Sequence, residues 1–573
     1  MSMSRREFLQ VLAAAAASGL VLDSKAVLAG NLPASFYDHA PTGNVSFLHF
    51  TDCHAQLKPI WFREPSINLG VGRAVGKVPH LVGDKFLKHY GIKPGTADAA
   101  AFTYIDFETA SRAYGKVGGF AHLKTLVDKM RASRPGALLL DGGDTWQGSA
   151  TSLWTNAQDM VDACIQLGVN VMTPHWEATF GADRVMEVVQ NDFAKNGVDF
   201  VAQNVITNDF GDQVFKPYTM KVINGVQVAV IGQAFPYTPI ANPRYMVPDW
   251  SYGIRDESMQ KFVDEARSKG AQVVVVLSHN GMDVDLKMAS RVNGIDAIFG
   301  GHTHDGVYQP VPVKTPNGGT TLVTNAGSNG KFLGVMDFDV KGGKIKGWKY
   351  RLLPVFSNFL AADPAMDALI TKIRAPFESK LNEVLAYTED TLYRRGNFNG
   401  TWDEIICRAL IEAKGADAAF SPGVRWGTSI LPGEPITYER MMDQMALTYP
   451  ATTLNEFTGA QIKDIMEDVC DNLFNADPYY QQGGDMVRTG GIEYTIRPNE
   501  TIGKRLSDLR INGKPMDASK KYKVAGWASV NEGVTGTPIW DVVADYLRTK
   551  KVIKGTKLYQ PKIVGMAGNP GMA

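Results

Sequence analysis

Short apolar runs recur along this chain, several of them closed by a polar cluster rich in Asp, His and Gly, and this recurrence restricts the fold more than any other feature. Val45–Phe50 and the stretches 136–140, 198–202, 226–231, 272–277, 297–299 and 320–324 have the length and β-branched content of strands, with helical patterns between them. Such alternation indicates an α/β domain.

The first cluster lies in Phe47-Leu48-His49-Phe50-Thr51-Asp52-Cys53-His54, where a strand ends in Asp-x-His. Alternation along the strand predicts Asp52 and His54 on one side, so that a carboxylate oxygen and an imidazole nitrogen can grip one ion, with Cys53 facing the other side as a small buried residue. In Leu138-Leu139-Leu140-Asp141-Gly142-Gly143-Asp144-Thr145 two glycines allow a tight turn that presents Asp144, whose two oxygens can bridge two metals. Thr173-Pro174-His175-Trp176-Glu177, Leu277-Ser278-His279-Asn280 and Gly300-Gly301-His302-Thr303-His304 complete the series. His54, His175, His279, His302 and His304 are half of the chain's ten histidines. One of them alone would read as structural, whereas five at successive strand ends point to a metal site. Imidazole and carboxylate donors accommodate manganese, zinc, iron or cobalt, so they leave the metal open.

With 573 residues the chain has room for about two to four domains. A linker is expected over 361–385, where Met366, Ile370, Ile373 and Phe377 recur at helical spacing from Asp363 onward. It separates a domain over 30–360 from one over 386–573, which carries helical patterns at 402–414 and 458–474 and Gly-rich loops at 421–427 and 481–491. A crevice between two domains is a usual place for a substrate. Lys plus Arg, 59, equals Asp plus Glu, 59, which argues against a nucleic-acid partner and leaves only local basic pockets for anions. Residues 1–29 read as an export signal: Arg5-Arg6-Glu7-Phe8-Leu9, an alanine-rich apolar run and Ala26-Val27-Leu28-Ala29, with cleavage after Ala29. That run is shorter than the ~20 apolar residues of a spanning helix, so a mature chain without stable membrane association is expected. Cys53, Cys164, Cys407 and Cys470 form no CxxC pair and no disulfide framework.

Taken together, Phe47 to Gln56, Gly142-Gly143-Asp144, the histidine after Leu277-Ser278, and Gly301-His302-Thr303-His304 resemble the calcineurin-like metallophosphoesterases of the bacterial 5′-nucleotidase type. Thr489-Gly490-Gly491-Ile492-Glu493-Tyr494 resembles part of that family's C-terminal domain. The resemblance implies a four-layer α/β/β/α metallophosphoesterase domain joined by a helix to an α/β substrate-binding domain of the 5′-nucleotidase type. It also implies two ions, one on Asp52, His54, Asp144 and His304, the other on Asp144, His175, His279 and His302, with Asp144 as the bridge. Arg425, within Ser421-Pro422-Gly423-Val424-Arg425-Trp426, sits on a stretch similar to the nucleotidase substrate loop, and Asn397 and Arg488 occupy similar Gly-rich contexts. A guanidinium suits an oxyanion because its planar fork donates two parallel hydrogen bonds. Tyr479 and Tyr480 are candidates for lining a channel.

The third cluster departs from the family pattern Gly-Asn-His-Glu. Here His175 stands where asparagine would be a ligand, and Trp176 stands where a histidine helps the phosphoryl group or its leaving oxygen. Trp176 has only an indole N–H and no proton to give, and Thr179 replaces the aspartate that would complete a His-Asp dyad. A thiolate needs no such acid, since thiols ionise near pH 8.5. The replacement, the layout and an arginine pair similar to a twin-arginine signal resemble the SoxB-like thiosulfohydrolases of bacterial sulfur oxidation. That resemblance implies a periplasmic protein exported by the twin-arginine pathway and a centre of two Mn2+. It implies release of sulfate from the S-sulfonated cysteine of a SoxYZ-type carrier by metal-activated hydroxide attack on the sulfonate sulfur. Asp144, His175, Trp176 and Glu177 are then the expected catalytic group, Trp176, Arg425, Asn397 and Arg488 the expected substrate contacts, and a monomer the expected state. The alternatives are a periplasmic 5′-nucleotidase-like phosphoesterase, with Glu177 or water doing the missing histidine's work, and a metal-dependent binding protein without turnover.

Overall fold

The apolar runs form strands because β-branched and aromatic residues fit a pleated surface buried on both faces. The computed structural model describes residues 32–573, and the export segment expected at 1–29 lies outside the described residues. In chain order the strands of the first body are β1 (Val45–Phe50), β2 (Leu138–Asp141), β3 (Val171–Met172), β4 (Asp199–Phe200), β5 (Tyr218–Ile223) and β6 (Val226–Gln233). They continue as β7 (Val273–Ser278), β8 (Ala297–Gly300), β9 (Val311–Lys314), β10 (Thr320–Asn325), β11 (Phe332–Lys341) and β12 (Lys344–Pro354). One sheet has the order β12-β11-β1-β2-β3-β4 and the other β9-β10-β8-β7-β6-β5. β1 to β4 are mutually parallel, as are β6, β7, β8 and β10, while antiparallel strands close every edge but that of β4.

The two sheets pack face to face through Phe47, Leu138, Leu140 and Met336 on one side and Val228, Val275, Ala297 and Phe299 on the other, all buried. Alternation sends Leu48, Phe50 and Leu139 to the outer face, where helices Phe120–Ala132 and Gln158–Leu167 cover them. Ala229, Val274, Val276 and Ile298 meet helices Asp256–Ser268 and Met282–Ala289 on the far side of the second sheet. The result is the four-layer α/β/β/α arrangement.

The sequence reading passed over the hairpin of β11 and β12, which turns on Gly342-Gly343 with φ 57° and 73°. Strand β11 is buried almost throughout, so it lacks the polar alternation that marks a half-exposed strand. Its inward Asp337 is satisfied by Arg134, Nε to Oδ1 at 2.8 Å and Nη2 to Oδ2 at 3.0 Å. The connecting helix is also shorter than its periodicity predicts. It spans Pro364–Arg374, capped by the Asp363 side chain at 2.8 Å from the Met366 N–H, and stops before Pro376, which lacks the amide a continued helix needs. A short turn, Glu378–Leu381, follows. Met366 and Ile370 pack in the first body and Leu381 in the second.

In the second body a four-stranded sheet joins Thr452–Thr458, Lys521–Trp527, Ala418–Ser421 and Arg488–Gly490. Helix Thr401–Lys414 packs on the face of Ala419 and Ala525, and helix Gly459–Phe474 on the face of Ala418 and Val524. Among the described residues no helix is long and apolar enough to cross a membrane.

Phe47 is fully buried between the sheets, 5.6 Å from the ring of Phe299 and 6.2 Å from that of Phe338. Phe47→Ala is therefore expected to lower unfolding stability by about 3–5 kcal/mol, read from the denaturant midpoint of the full chain.

Candidate metal centre

Five strands deliver the candidate ligands. Asp52 and His54 follow β1, Asp144 follows β2, His175 follows β3, His279 follows β7, and His302 and His304 follow β8. Loops after the carboxyl ends of parallel strands face the same crevice, and packing the two sheets brings both sets of loops together. The expected alternation does not extend to Asp52 and His54, because β1 ends at Phe50. They share a side because both are left-handed, at φ 53° and 45°. Asp144, His302 and His304 also have positive φ, at 55°, 72° and 58°. Each such conformation costs about 1–3 kcal/mol and persists only where the surroundings enforce it. A side chain at Gly143, φ 90°, would lie 2.5 Å from the Thr173 carbonyl oxygen, and one at Gly301 would lie 2.9 Å from Asp52 Oδ2. Cys53 is buried in the helix-side core.

The Asp144 carboxylate is the hub. Its Oδ1 lies 3.0 Å from His175 Nδ1 and accepts from the Trp176 backbone N–H at 2.8 Å. Its Oδ2 lies 3.0 Å from His279 Nε2 and 3.8 Å from His54 Nε2. Asp52 Oδ1 is 3.2 Å from His304 Nε2, and both Asp52 oxygens accept from the His302 N–H at 3.0 Å. Two buried groups result, Asp52, His54, Asp144 and His304, and Asp144, His175, His279 and His302, in each of which the donor atoms lie within 4.8 Å of one another.

The donor set fits a pair of divalent ions. His54 Nδ1 lies 3.1 Å from the Gln147 carbonyl oxygen, His279 Nδ1 2.5 Å from that of Gly142, and His302 Nε2 2.9 Å from that of Gln482. Donation to these carbonyls leaves the opposite nitrogen of each ring free to bind. His54 Nε2 then faces His304 Nε2 at 3.0 Å, a contact that a cation relieves, and His279 Nε2 is directed at the carboxylates of Asp144 and Asp52, 3.0 and 3.6 Å away. Burial drives His302 and His304 well below the usual histidine range, as neutral ligands require. Against the burial that would lower it, His279 is raised to about 10 by Asp144 and Asp52, so the site demands positive charge. Against burial again, His175 and His279 hold Asp144 well below the carboxylate range.

Other expected site residues separate into those at the cavity and those behind it. A cavity of about 330 Å³ opens over the two groups, lined by Trp176 and Phe235 from the first body and by Arg425, Trp426, Tyr449 and Asp485 from the second. Trp176 meets Trp426 edge-on at 5.0 Å and lies parallel to Tyr449 at 6.3 Å. Arg425 reaches across, with Nη1 donating to the Thr303 carbonyl at 3.0 Å and Nε 3.4 Å from Asp485 Oδ1. Glu177 is not a cavity residue. Its carboxylate accepts from the backbone N–H groups of His175 and Thr145, each at 2.8 Å, of Trp146 at 3.3 Å and of Asp144 at 3.4 Å, so it ties the His175 turn to the Asp144 turn. Asn397 and Arg488 do not line the cavity either. Asn397 Oδ1 accepts from the Leu69 N–H at 2.7 Å, and Arg488 is fully buried, donating to the carbonyls of Gly396 and Phe398 and to Asp485 Oδ2 at 2.9 Å. Tyr479 is held by Asp256 at 2.6 Å, and neither it nor the exposed Tyr480 lines the cavity.

Three neighbours escaped the sequence reading. Phe235 lies 4.2 Å from the His175 ring and 4.1 Å from that of His302, and Trp426 stacks on His54 at 5.0 Å. Arg395 donates to the same Thr303 carbonyl as Arg425, at 3.0 Å. Adjacency to Arg425 and Asn397 was the only signal for Trp426 and Arg395, and nothing in the sequence singles out Phe235.

Residues 384–544 match the family model described as the C-terminal domain of 5′-nucleotidase. Over 92% of this chain and 98% of the other, the fold superposes on a solved structure of the Thermus thermophilus sulfate thiohydrolase SoxB in complex with glycerol, with a TM-score of 0.86 and 34% identity. The chain belongs to the 5′-nucleotidase superfamily of metallophosphoesterases. Within that superfamily it is also 24% identical over 484 residues to protein UshA of Yersinia enterocolitica, covering 75% of this chain and 84% of that one. A 5′-nucleotidase precursor from Thermus thermophilus shares the fold, with a TM-score of 0.71 and 21% identity over 91% of this chain and 99% of that one. The superfamily's enzymes are hydrolases, and the buried Asp and His groups match its two-ion requirement.

Elemental analysis separates shared from single ligands. Asp144→Ala is expected to lose both ions, His304→Ala only one, with wild-type protein holding two per chain. Glu177→Ala, which leaves four backbone amides without this acceptor, should cost about 3 kcal/mol in denaturant unfolding.

Proposed function

We propose that the protein is a SoxB-like thiosulfohydrolase that frees sulfate from the S-sulfonated cysteine of a SoxYZ-type carrier protein. The observation that carries this reading is that, among the described residues and beyond the candidate ligands, no histidine lines the cavity to act as an acid, and burial makes the Tyr449 phenol, which also lines it, a weaker acid than usual. Outside the candidate ligands, the described lining residues include two carboxyl groups, Asp485 and Asp468. Asp485 is buried, held by Arg425 and Arg488 below the carboxylate range against the effect of burial, and cannot serve as an acid. Asp468 is exposed at the rim. Trp176, the residue beside the bridging carboxylate, has no titratable group. An alcohol would leave such a site poorly, whereas a thiolate leaves as an anion near neutral pH.

Divalent ions at the two groups, when bound, supply Lewis acidity and a nucleophile from water. We assign them as manganese on the resemblance. The Arg425 N–H groups that Thr303 and Asp485 leave free bind the sulfonate oxygens, and the indole and phenol rings of Trp176, Trp426 and Tyr449 take the apolar sulfur and methylene. The S–S bond breaks, the oxygen of water ends in sulfate, and the carrier sulfur departs as a thiolate. The same reading has the chain exported folded to the periplasm by the twin-arginine pathway, as the Arg5-Arg6 segment of the sequence suggests, and acting as a monomer with domains over 30–360 and 386–573.

A phosphoesterase reading has one observation in its favour. The parallel rings of Trp176 and Tyr449, 6.3 Å apart, are spaced near the separation that clamps a nucleobase. Parallel assays on an S-sulfonated cysteine peptide and a nucleoside monophosphate decide between the two. Sulfate release without phosphate release is expected; phosphate alone would sink the proposal and leave the metal centre intact, and tight retention of the peptide without turnover would make the protein a binder. Arg425→Ala is expected to lower kcat/KM for sulfate release by about 10²-fold, the usual effect of removing one oxyanion donor.

A further inference from the structure

A second cleft, of about 610 Å³, lies between the two bodies and shares no lining residue with the metal-centre cavity. Its first-body wall carries Lys58, Trp61, Arg112 and Lys116, and its second-body wall Glu434 and Arg440. The carboxylates here are already engaged. Glu434 accepts from Trp61 Nε1 at 3.0 Å and from the Leu431 N–H at 3.1 Å. Glu439 is taken by Arg374 at 2.5 Å and Arg440 at 3.2 Å, and Arg440 also holds Asp443 at 2.7 Å.

Three cationic heads are left over. Lys58 reaches only Glu378, at 3.8 Å, and that carboxylate is already bonded by Arg374 at 2.9 Å. Arg112 has one long contact, 3.5 Å to the Pro432 carbonyl oxygen. Lys116 makes no ion pair among the described residues, sits 5.5 Å over the Trp61 ring and feels Glu434 and Glu439 only through space. Like charges gathered on one wall of a concave site repel one another and raise the local concentration of anions.

We propose that this cleft is an oxyanion site that takes a tetrahedral dianion, sulfate or phosphate, on Lys58, Arg112 and Lys116, with Arg440 facing it from the second body. A ligand there ties the two bodies together. Because the cleft and the metal-centre cavity share no residue, the proposal stands whatever substrate the metal centre turns over.

The test is calorimetric titration of the full-length, metal-loaded protein with inorganic phosphate and, in parallel, with sulfate, at constant ionic strength set by chloride. One anion per chain is expected to bind in an Arg425→Gln variant, whose metal-centre cavity is impaired, and to bind at least tenfold more weakly in Arg112→Gln/Lys116→Gln. Lys116→Arg, which keeps the charge, should retain binding. The same anion should raise the Tm of the wild-type chain and not that of the double variant. The stronger arm names the oxyanion. Unchanged affinity in the double variant, no binding of either anion, or equal displacement by chloride would overturn the proposal.

Discussion

One buried carboxylate, that of Asp144, stands within bonding distance of imidazoles from two other strand ends, one in each sheet, His175 after β3 and His279 after β7. A buried anion is costly unless compensated on all sides, so the loops that carry those imidazoles cannot drift independently. Their convergence depends in turn on the two sheets meeting face to face, with Phe47 against Phe299. The core therefore does more than stabilise the chain: it sets the distance across which Asp144 and Asp52 can share cations.

The backbone accepts strain to make this possible. Five of the seven candidate ligands are left-handed without being glycine, and the carboxylate of Glu177 supplies part of the compensation by collecting amides from both neighbouring turns. Glu177 thus acts on the chemistry through the backbone. Its neighbour Trp176 faces the cavity. Two adjacent residues of one motif divide structural support from cavity lining.

Much of the centre was legible from the sequence because parallel strands deliver their carboxyl-terminal residues to one crevice, which puts the five polar clusters at one site, while the grouping of His279 and His302 with Asp144 came from the family resemblance. The same reasoning failed where polarity alone had to stand for orientation. Asn397 and Arg488 lie in Gly-rich stretches like that of Arg425, yet their hydrogen-bonding groups are spent on backbone and on Asp485, and no residue pattern distinguishes a guanidinium aimed at carbonyls from one aimed at a ligand. Strand β11 was passed over for a related reason: burial on both faces removes the alternation by which strands are read. Pro376 ends the helix although the apolar spacing runs on past it to Phe377, because a missing amide outweighs periodicity.

The second body holds the His302 ring by a main-chain atom, the carbonyl oxygen of Gln482, while a Cβ on the next residue, Gly483, would press into that same ring, 2.7 Å from Cδ2. Selection on this contact is consequently invisible in the side chain that makes it. Position 483 is held to glycine by that ring and by its left-handed φ of 71°, whereas position 482 offers the same carbonyl whatever side chain it carries, even though that side chain also lines the cavity.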